Sequence, residues 1–321
     1  MNVDEARAMF DTPVAVTIFK RTEPLERLLD VVRKVEPPEM YIVGDGPRDE
    51  IEGEAAKVEA ARSLAEESIN WDCEVYTNYA DENLGGPIRY PTGLDWVFEN
   101  TEEAVLFEDD HLPSIDFFPY CQELLERYRD TPEVMGICGN NAGVPPDIDA
   151  SYFFSNHHRS MGWATWRSAW KKYDPDMEAW PEVRENGVLE ERYHIDDWAE
   201  HHDEILDIIY DDDDERNYCD VIWHHSLVAN RGMTIMPKNN LVIHTGFGDD
   251  SMHNEVTPHL QQRFLLPSRR SLSFPLEHPE RVEPSAEFDR RYYKYKRGEF
   301  QKIIGLVDRA IHKMKTIVGY T

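Results

Sequence analysis

The sequence has few cysteines and no long apolar run. Its four cysteines form no CxxC pair, which argues against a disulfide framework and against a cysteine-ligated zinc site: Cys73, Cys121, Cys138 and Cys219. No stretch approaches the ~18 apolar residues that a membrane-spanning helix needs. The first ten residues, MNVDEARAMF, are acidic where a signal peptide is basic. The sequence therefore predicts a cytoplasmic protein with reduced thiols.

Lysine is scarce as well. The chain has 11 lysines against 23 arginines, and 63 acidic residues against 34 basic ones give a formal net charge of −29. A field of this sign repels nucleic acid, so we expect no nucleic-acid partner. An acidic surface with little lysine is typical of proteins in concentrated salt, which screens their self-repulsion. We therefore expect a halophilic source.

The glycine motifs that bind common nucleotide cofactors are absent. The turn GDGPR at 44–48 lacks the third glycine of GxGxxG and follows the second predicted strand instead of the first. No GxxxxGK[ST] motif occurs anywhere in the chain. These absences exclude nicotinamide-dependent and P-loop chemistry of the usual kinds.

Short apolar runs alternate with amphipathic segments through the first half of the chain. The sequence predicts strands at 13–19, 40–43, 73–76, 104–107 and 134–138. It predicts helices from Thr22, which can cap the first of them, and at 49–68, 87–100 and 114–129. This rhythm predicts an α/β fold, a mostly parallel central sheet with helices on both faces.

The second half is rich in tryptophan, tyrosine and histidine. We predict helices at 163–173, 195–210 and 220–231 and a strand at 233–236. The pairs His201-His202 and His224-His225 are adjacent within predicted helices, where neighbouring side chains diverge. Neither pair is therefore expected to form a metal site.

The C-terminal segment differs from the rest of the chain in charge. Residues 290–321 contain nine basic and two acidic residues, a net charge of +7. An apolar stripe recurs every three or four residues: Ile303, Val307, Ile311, Met314 and Val318. We predict a catalytic domain at 1–289 followed by a basic amphipathic C-terminal helix at 290–321. This helix can dock on an anionic membrane or pack on the acidic body of the protein.

Charged residues follow three of the predicted parallel strands, where α/β proteins bind their ligands. The first strand is followed by Arg21, the second by Asp45 and the fourth by the acidic run 108–110. Three acids directly after a buried strand repel one another, and a bound cation offsets that repulsion. Oxygen ligands suit Mg²⁺ or Mn²⁺, which can neutralise the pyrophosphate of a nucleotide-sugar.

Three segments resemble, in order, the GT-A fold nucleotide-sugar glycosyltransferases. The first is VLFEDDHLPSIDFFPYCQELLERYRDTPEVMGICGNN, with its Glu-Asp-Asp run after an apolar strand. The second is SMGWATWRSAWKKYD, and the third is DVIWHHSLVANRGMTIMPKNNLVIHTGFGDDSMH. Among these enzymes, the segments resemble the N-acetylglucosaminyltransferase I family and a group of bacterial enzymes. The resemblance covers roughly residues 13–255 and implies a GT-A-like fold with a C-terminal helical extension.

The resemblance assigns roles on the donor side of the site. It implies that Asp110 binds the metal ion and that Glu108 and Asp109 hydrogen-bond the donor sugar and ribose. It also implies that Arg21 and Asp45 contact the uridine part of the donor. Arg21 has a simpler interpretation as a surface ion-pair partner.

The third segment and the Gly-Trp motif supply the other candidates. The resemblance implies that Asp220 is the catalytic base, with Asp249 and Asp250 as the next candidates. An aspartate at this position can instead cap the helix that it begins. Trp163 can face the sugar or belong to the core, and His253 can reach a donor phosphate or the metal.

This resemblance, together with the acidic run, implies a Mn²⁺- or Mg²⁺-dependent, inverting glycosyltransferase. Its donor is a nucleoside-diphosphate sugar, with UDP favoured, and its acceptor is a glycan or a lipid-linked saccharide. The second function considered is a sugar-1-phosphate nucleotidyltransferase, although FKRTEPLER stands where those enzymes carry a glycine-rich loop. The third is a non-catalytic, membrane-docked sugar-binding scaffold.

Overall fold

An eight-stranded sheet forms the centre of the protein. The structure is a computed structural model that describes residues 2–193, 195–211, 219–245 and 271–297. The strand order of the sheet is β3-β2-β1-β4-β8-β6-β9-β7, and a separate two-stranded sheet pairs β10 with β5. The strands are β1 (Val14–Ile18), β2 (Glu39–Gly44), β3 (Glu74–Tyr79), β4 (Glu103–Glu108), β5 (His111–Pro113), β6 (Val134–Cys138), β7 (Tyr152–Ser155), β8 (Trp163–Trp166), β9 (Met233–Pro237) and β10 (Val242–His244).

The described part of the chain also contains eleven helices. They are α1 (Val3–Met9), α2 (Thr22–Val35), α3 (Glu54–Ser68), α4 (Gly86–Asn100), α5 (Phe117–Tyr128), α6 (Arg167–Trp170), α7 (Trp180–Glu185), α8 (Val188–Tyr193), α9 (Asp196–Asp211), α10 (Cys219–Ala229) and α11 (Ala286–Arg297).

Four neighbouring strands run parallel, which aligns their carboxyl ends. β1 pairs in parallel with β2 on one side and β4 on the other, and β2 pairs in parallel with β3. The register sets Ile18 opposite Gly44 and Thr17 opposite Glu108. Of the remaining strands, β8 and β7 are antiparallel to their neighbours, whereas β6 and β9 pair in parallel. The predicted α/β class with a mostly parallel central sheet is confirmed.

Burial explains why these segments are strands and helices. The middle of β4 is buried on both of its faces, as expected for a strand covered by helices on either side. Helix α2 buries one apolar stripe at helical spacing: Leu25, Leu28, Leu29, Val32 and Val35. Each such side chain contributes about 1.5–3 kcal/mol when it is fully buried.

A second apolar cluster gathers the helices of the second half. Trp180, Leu189, Trp198 and Leu206 belong to it, together with Phe288 from α11. Helix α11 runs across the predicted boundary between residues 289 and 290. The division into two domains stays a prediction, because the amphipathic segment at 301–318 lies outside the described residues. Within the described residues, no helix is long and apolar enough to cross a membrane.

Two sequence predictions about local structure are wrong. The predicted helix at 163–173 begins as strand β8, and only Arg167–Trp170 is helical. The tryptophans there mimic helical spacing, but β8 is inserted between β4 and β6, where sheet pairing outweighs local spacing. Thr22 does not cap α2, because it is the first helical residue and Arg21 occupies the cap position without a side-chain bond.

Candidate active site

The carboxyl ends of β1 and β4 are joined by an ion-pair cluster. Nη1 of Arg21 lies 2.7 Å from Oδ2 of Asp110, and Nη2 of Arg21 contacts Oδ1 of Asp109. The backbone N–H of Phe19 donates to Oδ2 of Asp109 over 3.4 Å. The structure thus brings together the basic and acidic strand ends that the sequence singled out.

The three carboxyl groups of this cluster differ in their electrostatics. Burial raises the pKa of Asp109 to about 6 even with Arg21 beside it. Burial also opposes ionisation of Asp110, but the hydrogen bond from His244 and nearby positive groups outweigh it and lower the pKa of Asp110 below its usual range. Burial and then repulsion by Asp110 and Asp109 raise the pKa of Glu108, whose side chain stays 43% exposed. Three carboxylates against one guanidinium leave a formal charge of −2 when all are ionised.

The two-stranded sheet adds two histidines to the cluster. The register of β5 and β10 sets His111 opposite His244. Nε2 of His244 lies 3.1 Å from Oδ2 of Asp110, and the backbone N–H of Thr245 donates to the Asp110 carbonyl over 2.7 Å. Sequence reasoning missed both histidines. The available signal was a histidine at the end of each short apolar segment, but the pairing of two three-residue strands so far apart in sequence cannot be inferred from either one.

His111 is held as a hydrogen-bond acceptor. Its Nδ1 accepts backbone N–H groups from Glu108 at 3.0 Å and Gly162 at 3.2 Å, which assigns the ring proton to Nε2. Burial lowers the pKa of His111 to about 4, so the ring is neutral at pH 7. Nε2 of His111 lies 3.8 Å from Oδ1 of Asp110. The His111 ring therefore holds the backbone at Glu108 in place, and its neutral Nε2–H side faces Asp110.

The Gly-Trp motif has a structural reason. Gly162 has φ +59°, a left-handed conformation that favours glycine, and an added Cβ would lie 2.8 Å from the Val242 side chain. Its carbonyl accepts from the N–H of Gly139, and its own N–H donates to His111. Gly162 thereby lets β10 approach the main sheet closely, and it places Trp163 at the start of β8.

A pocket with mainly aromatic walls opens beside the acidic cluster. It is lined by Tyr90, Glu108, His158, Ser160, Trp163, Trp170, Cys219, Asp220 and Trp223. Nε1 of Trp163 donates to the Tyr90 hydroxyl over 3.0 Å, and the Trp163 and Trp223 ring centroids are 5.7 Å apart. Trp163 is 1% exposed, so it belongs both to the core and to the pocket wall.

Asp220 reaches this pocket from the other half of the fold. It lies in the first turn of α10 and is solvent-exposed. Its charge is close enough to contribute to the raised pKa of Glu108. The structure therefore brings Glu108, Trp163 and Asp220 together around one pocket, and its wall is continuous with the Arg21 cluster through Glu108.

Asp45 has a different environment. Its carboxylate accepts hydrogen bonds from the backbone N–H groups of Gly46, Leu84 and Gly85 at 2.9–3.0 Å and from the Asn83 side chain at 3.0 Å. These bonds hold the loop after β3 against the end of β2. The contact of Asp45 with a nucleotide stays a prediction.

Two further cations lie near the end of β1, held by one buried acid. Nζ of Lys20 lies 2.7 Å from Oε1 of Glu54, and Nε of Arg48 donates to Oε2 of Glu54 over 2.8 Å. Glu54 is 2% exposed, and the hydrogen bond from Arg48 lowers its pKa below the usual range. Both cations also lie over the Phe19 ring, 5.3 Å and 5.9 Å from its centroid. This side of the site therefore carries positive charge, unlike the pocket.

The acidic cluster has donor groups that fit a divalent cation. Oδ1 of Asp110 is buried and has no hydrogen-bond partner, a costly state that metal coordination would relieve. Nε2 of His244 lies beside the second oxygen of the same carboxylate. A carboxylate with one imidazole suits a divalent cation of the Mn²⁺ type.

Three site candidates, Asp249, Asp250 and His253, lie outside the described residues.

No protein-family model matches the chain, and no curated protein sequence is similar to it. Solved structures show distant likeness. A UDP-glucose pyrophosphorylase complexed with UDP-glucose is 10% identical with a TM-score of 0.34, over 70% of this chain and 90% of that one. Mouse xyloside xylosyltransferase 1 in its apo form is 9% identical with a TM-score of 0.30, over 68% and 81%. HddC from Yersinia pseudotuberculosis, complexed with GMP-PN, is 12% identical with a TM-score of 0.29, over 48% and 77%. At these values we infer neither an activity nor a ligand from the likeness.

Proposed function

We propose that this protein is a metal-dependent, inverting glycosyltransferase that uses a nucleoside-diphosphate sugar, with UDP as the favoured nucleotide. One observation carries the proposal. Glu108 at the end of β4 and Asp220 in α10 line the same aromatic pocket, directly beside the buried Asp109–Asp110–Arg21 cluster. In this proposal the sugar of the donor packs against the aromatic wall of the pocket, and its phosphates lie at the cluster.

The walls of the pocket suit a hexose. Apolar C–H faces of a sugar ring pack well on aromatic rings, and the pocket offers those of Trp163, Trp170 and Trp223. Sugar hydroxyls are hydrogen-bond donors, and a carboxylate accepts strong charge-assisted bonds from them. Glu108 is partly exposed in this wall, so its carboxyl oxygens are placed to accept a hydrogen bond from a hydroxyl of the donor sugar.

The charge of the cluster accounts for the metal dependence. With all three carboxylates ionised, the cluster has a formal charge of −2 and repels a pyrophosphate group, so a cation between them favours donor binding. Asp110 and His244 are the residues that would hold this cation. When bound, the ion stabilises negative charge on the departing nucleoside diphosphate. Arg21 holds Asp109 and Asp110 in position.

The expected chemistry is a single displacement. The carboxylate of Asp220 removes the proton of an acceptor hydroxyl while that oxygen forms a bond to the anomeric carbon. The bond from the anomeric carbon to the donor phosphate oxygen breaks, and its electron pair leaves with the nucleoside diphosphate. Asp220 suits this role because it is exposed at the pocket and lies on a different element from the acidic cluster. The proposed acceptor is a glycan or a lipid-linked saccharide, which the protein meets at the surface of an anionic membrane.

A thermal-shift screen tests donor binding. We expect one class of nucleoside-diphosphate sugar to raise the Tm of the protein in high salt with Mn²⁺, because a ligand that binds only the folded state stabilises it. The rise is about 4 °C at a donor concentration 100 times the Kd for a chain of 321 residues. The matched controls are the same donor with EDTA and the free monosaccharide with Mn²⁺. The proposal fails if no donor shifts the Tm, or if the shift is the same in EDTA.

A further inference from the structure

Three histidines from distant parts of the chain converge behind the pocket. His157 follows β7, His202 lies in α9 and His224 lies in α10. One ring nitrogen from each lies within 4.8 Å of the other two, which makes this group a geometric candidate for a metal site among the described residues. The pairs His201-His202 and His224-His225 each contribute one histidine. The two side chains of a pair therefore need not point to the same place for the cluster to form.

Several buried polar atoms at this cluster have no hydrogen-bond partner. His157 is 3% exposed, and its Nε2 has no hydrogen-bond partner. Asp289 of α11 is 2% exposed, and its Oδ1 has none either. These two atoms lie 3.5 Å apart without a hydrogen bond between them. Nε2 of His202 is also buried and unpartnered. Leaving buried polar groups unsatisfied is costly, so the arrangement favours a ligand that these neighbouring atoms can share.

The surroundings hold the three rings in place. The Tyr193 ring stacks on His157 and His202 with centroids 4.9 Å and 5.0 Å away, and its hydroxyl lies 2.5 Å from Nε2 of His224. Nδ2 of Asn156 donates to the second oxygen of Asp289 over 3.4 Å. Partners of this kind orient the ligands of metal sites and tune their basicity.

We propose that His157, His202, His224 and Asp289 form a structural site for a zinc-type transition-metal ion. Imidazole nitrogens and carboxylate oxygens are both zinc ligands, and three of the first with one of the second complete a four-coordinate set. Zn–N bonds of about 2.0–2.1 Å separate tetrahedral ligand atoms by about 3.4 Å, so the three histidine nitrogens, which lie within 4.8 Å of one another, close on the ion with side-chain shifts of around 1 Å. Asp289, whose Oδ1 lies 3.5 Å from Nε2 of His157, would move with that ring to supply the fourth ligand. Because four protein ligands leave no open position, the ion has a structural role. This site is separate from the oxygen-rich cluster around Asp110.

The ion would tie together elements that support the pocket. His224 lies one helical turn after Asp220 on α10, and His158, next to His157, lines the pocket. Asp289 would attach α11 to the same point. The site therefore fixes the helix that carries Asp220, and its existence does not depend on the proposed glycosyl transfer.

Cobalt absorption tests the site without an activity assay. We expect chelator-treated protein to bind one Co²⁺ per chain in the intensely absorbing four-coordinate form, apart from any weakly absorbing Co²⁺ at the Asp110 cluster, and Zn²⁺ to displace it and raise the Tm. His202→Gln is expected to abolish both signals, and Asp289→Asn, which keeps all three rings, to weaken binding at least tenfold. His201→Gln is the matched control on the neighbouring residue, and it keeps the wild-type spectrum. Asp110→Asn also keeps it, which separates this site from the candidate donor site.

Two results would overturn the proposal. One is folded wild-type protein that takes up no Co²⁺ or Zn²⁺ at micromolar concentration. The other is a cobalt spectrum that survives both His202→Gln and Asp289→Asn, since the ion then lies elsewhere. Circular dichroism of each variant establishes that it is folded before its spectrum is interpreted.

Discussion

Asp110→Asn is expected to abolish Mn²⁺-dependent release of nucleoside diphosphate, with a loss of about 10²–10³-fold or more. The two carboxylate oxygens of Asp110 have different surroundings. Oδ2 faces Arg21 and His244, whereas the buried Oδ1 has no hydrogen-bond partner and is the atom available to a cation. Asparagine preserves the volume of the side chain but removes the charge that attracts the ion. Arg21 keeps Asp109 as its partner, so the cluster stays assembled.

The control for this variant is Asp30→Asn. Asp30 is exposed on α2, and its carboxylate forms a surface ion pair with Arg33, three residues away. Such a pair contributes little, so the same chemical change there leaves turnover unaltered. Turnover is measured with the donor found by thermal shift, with and without EDTA. Activity that persists in both Asp110→Asn and EDTA would show that no cation at this cluster takes part.

Asp220→Asn is expected to lower kcat by about 10²–10⁴-fold while donor binding is retained. Asparagine cannot accept the proton of the acceptor. Asp220 lies outside the Arg21 cluster, so the thermal shift with donor and Mn²⁺ stays close to that of the wild type. This split separates Asp220 from Asp110, whose replacement removes both binding and turnover.

A variant that keeps wild-type kcat would contradict the assignment of Asp220 as the base. The proton would then be removed by another group, and Asp249 and Asp250 are the next positions to replace. Loss of the donor-induced thermal shift in Asp220→Asn would instead place this residue in the donor site.

Sequence patterns predicted the part of the site that depends on strand order. A buried apolar run followed by Glu108, Asp109 and Asp110 indicated the end of a parallel strand, and the same logic singled out Arg21. Their meeting follows because β1 and β4 are neighbours in the sheet. The pattern could be interpreted because each strand end is a local feature, and parallel pairing aligns such ends.

The remainder of the site depends on contacts that no local pattern encodes. His111 and His244 meet through two three-residue strands, which are too short to show an alternation of polar and apolar residues. His157, His202 and His224 come from a loop and two helices, and only the packing of the second apolar cluster brings them together. Strand β8 was wrongly predicted as a helix for a related reason. Its tryptophans have helical spacing, but its pairing with β4 and β6 makes the segment a strand.

The central claim is tested most directly by identifying which bond of the nucleotide-sugar the protein breaks. The purified protein is incubated in high salt with Mn²⁺ and the donor selected by thermal shift, with and without added pyrophosphate, and the nucleotide products are separated by chromatography. We expect nucleoside diphosphate in both reactions, because water serves as the acceptor and cleavage at the anomeric carbon leaves both phosphates on the nucleotide. Nucleoside triphosphate that appears only with pyrophosphate would identify a nucleotidyltransferase, and the absence of any cleavage would identify a sugar-binding protein without this activity; either result contradicts the account.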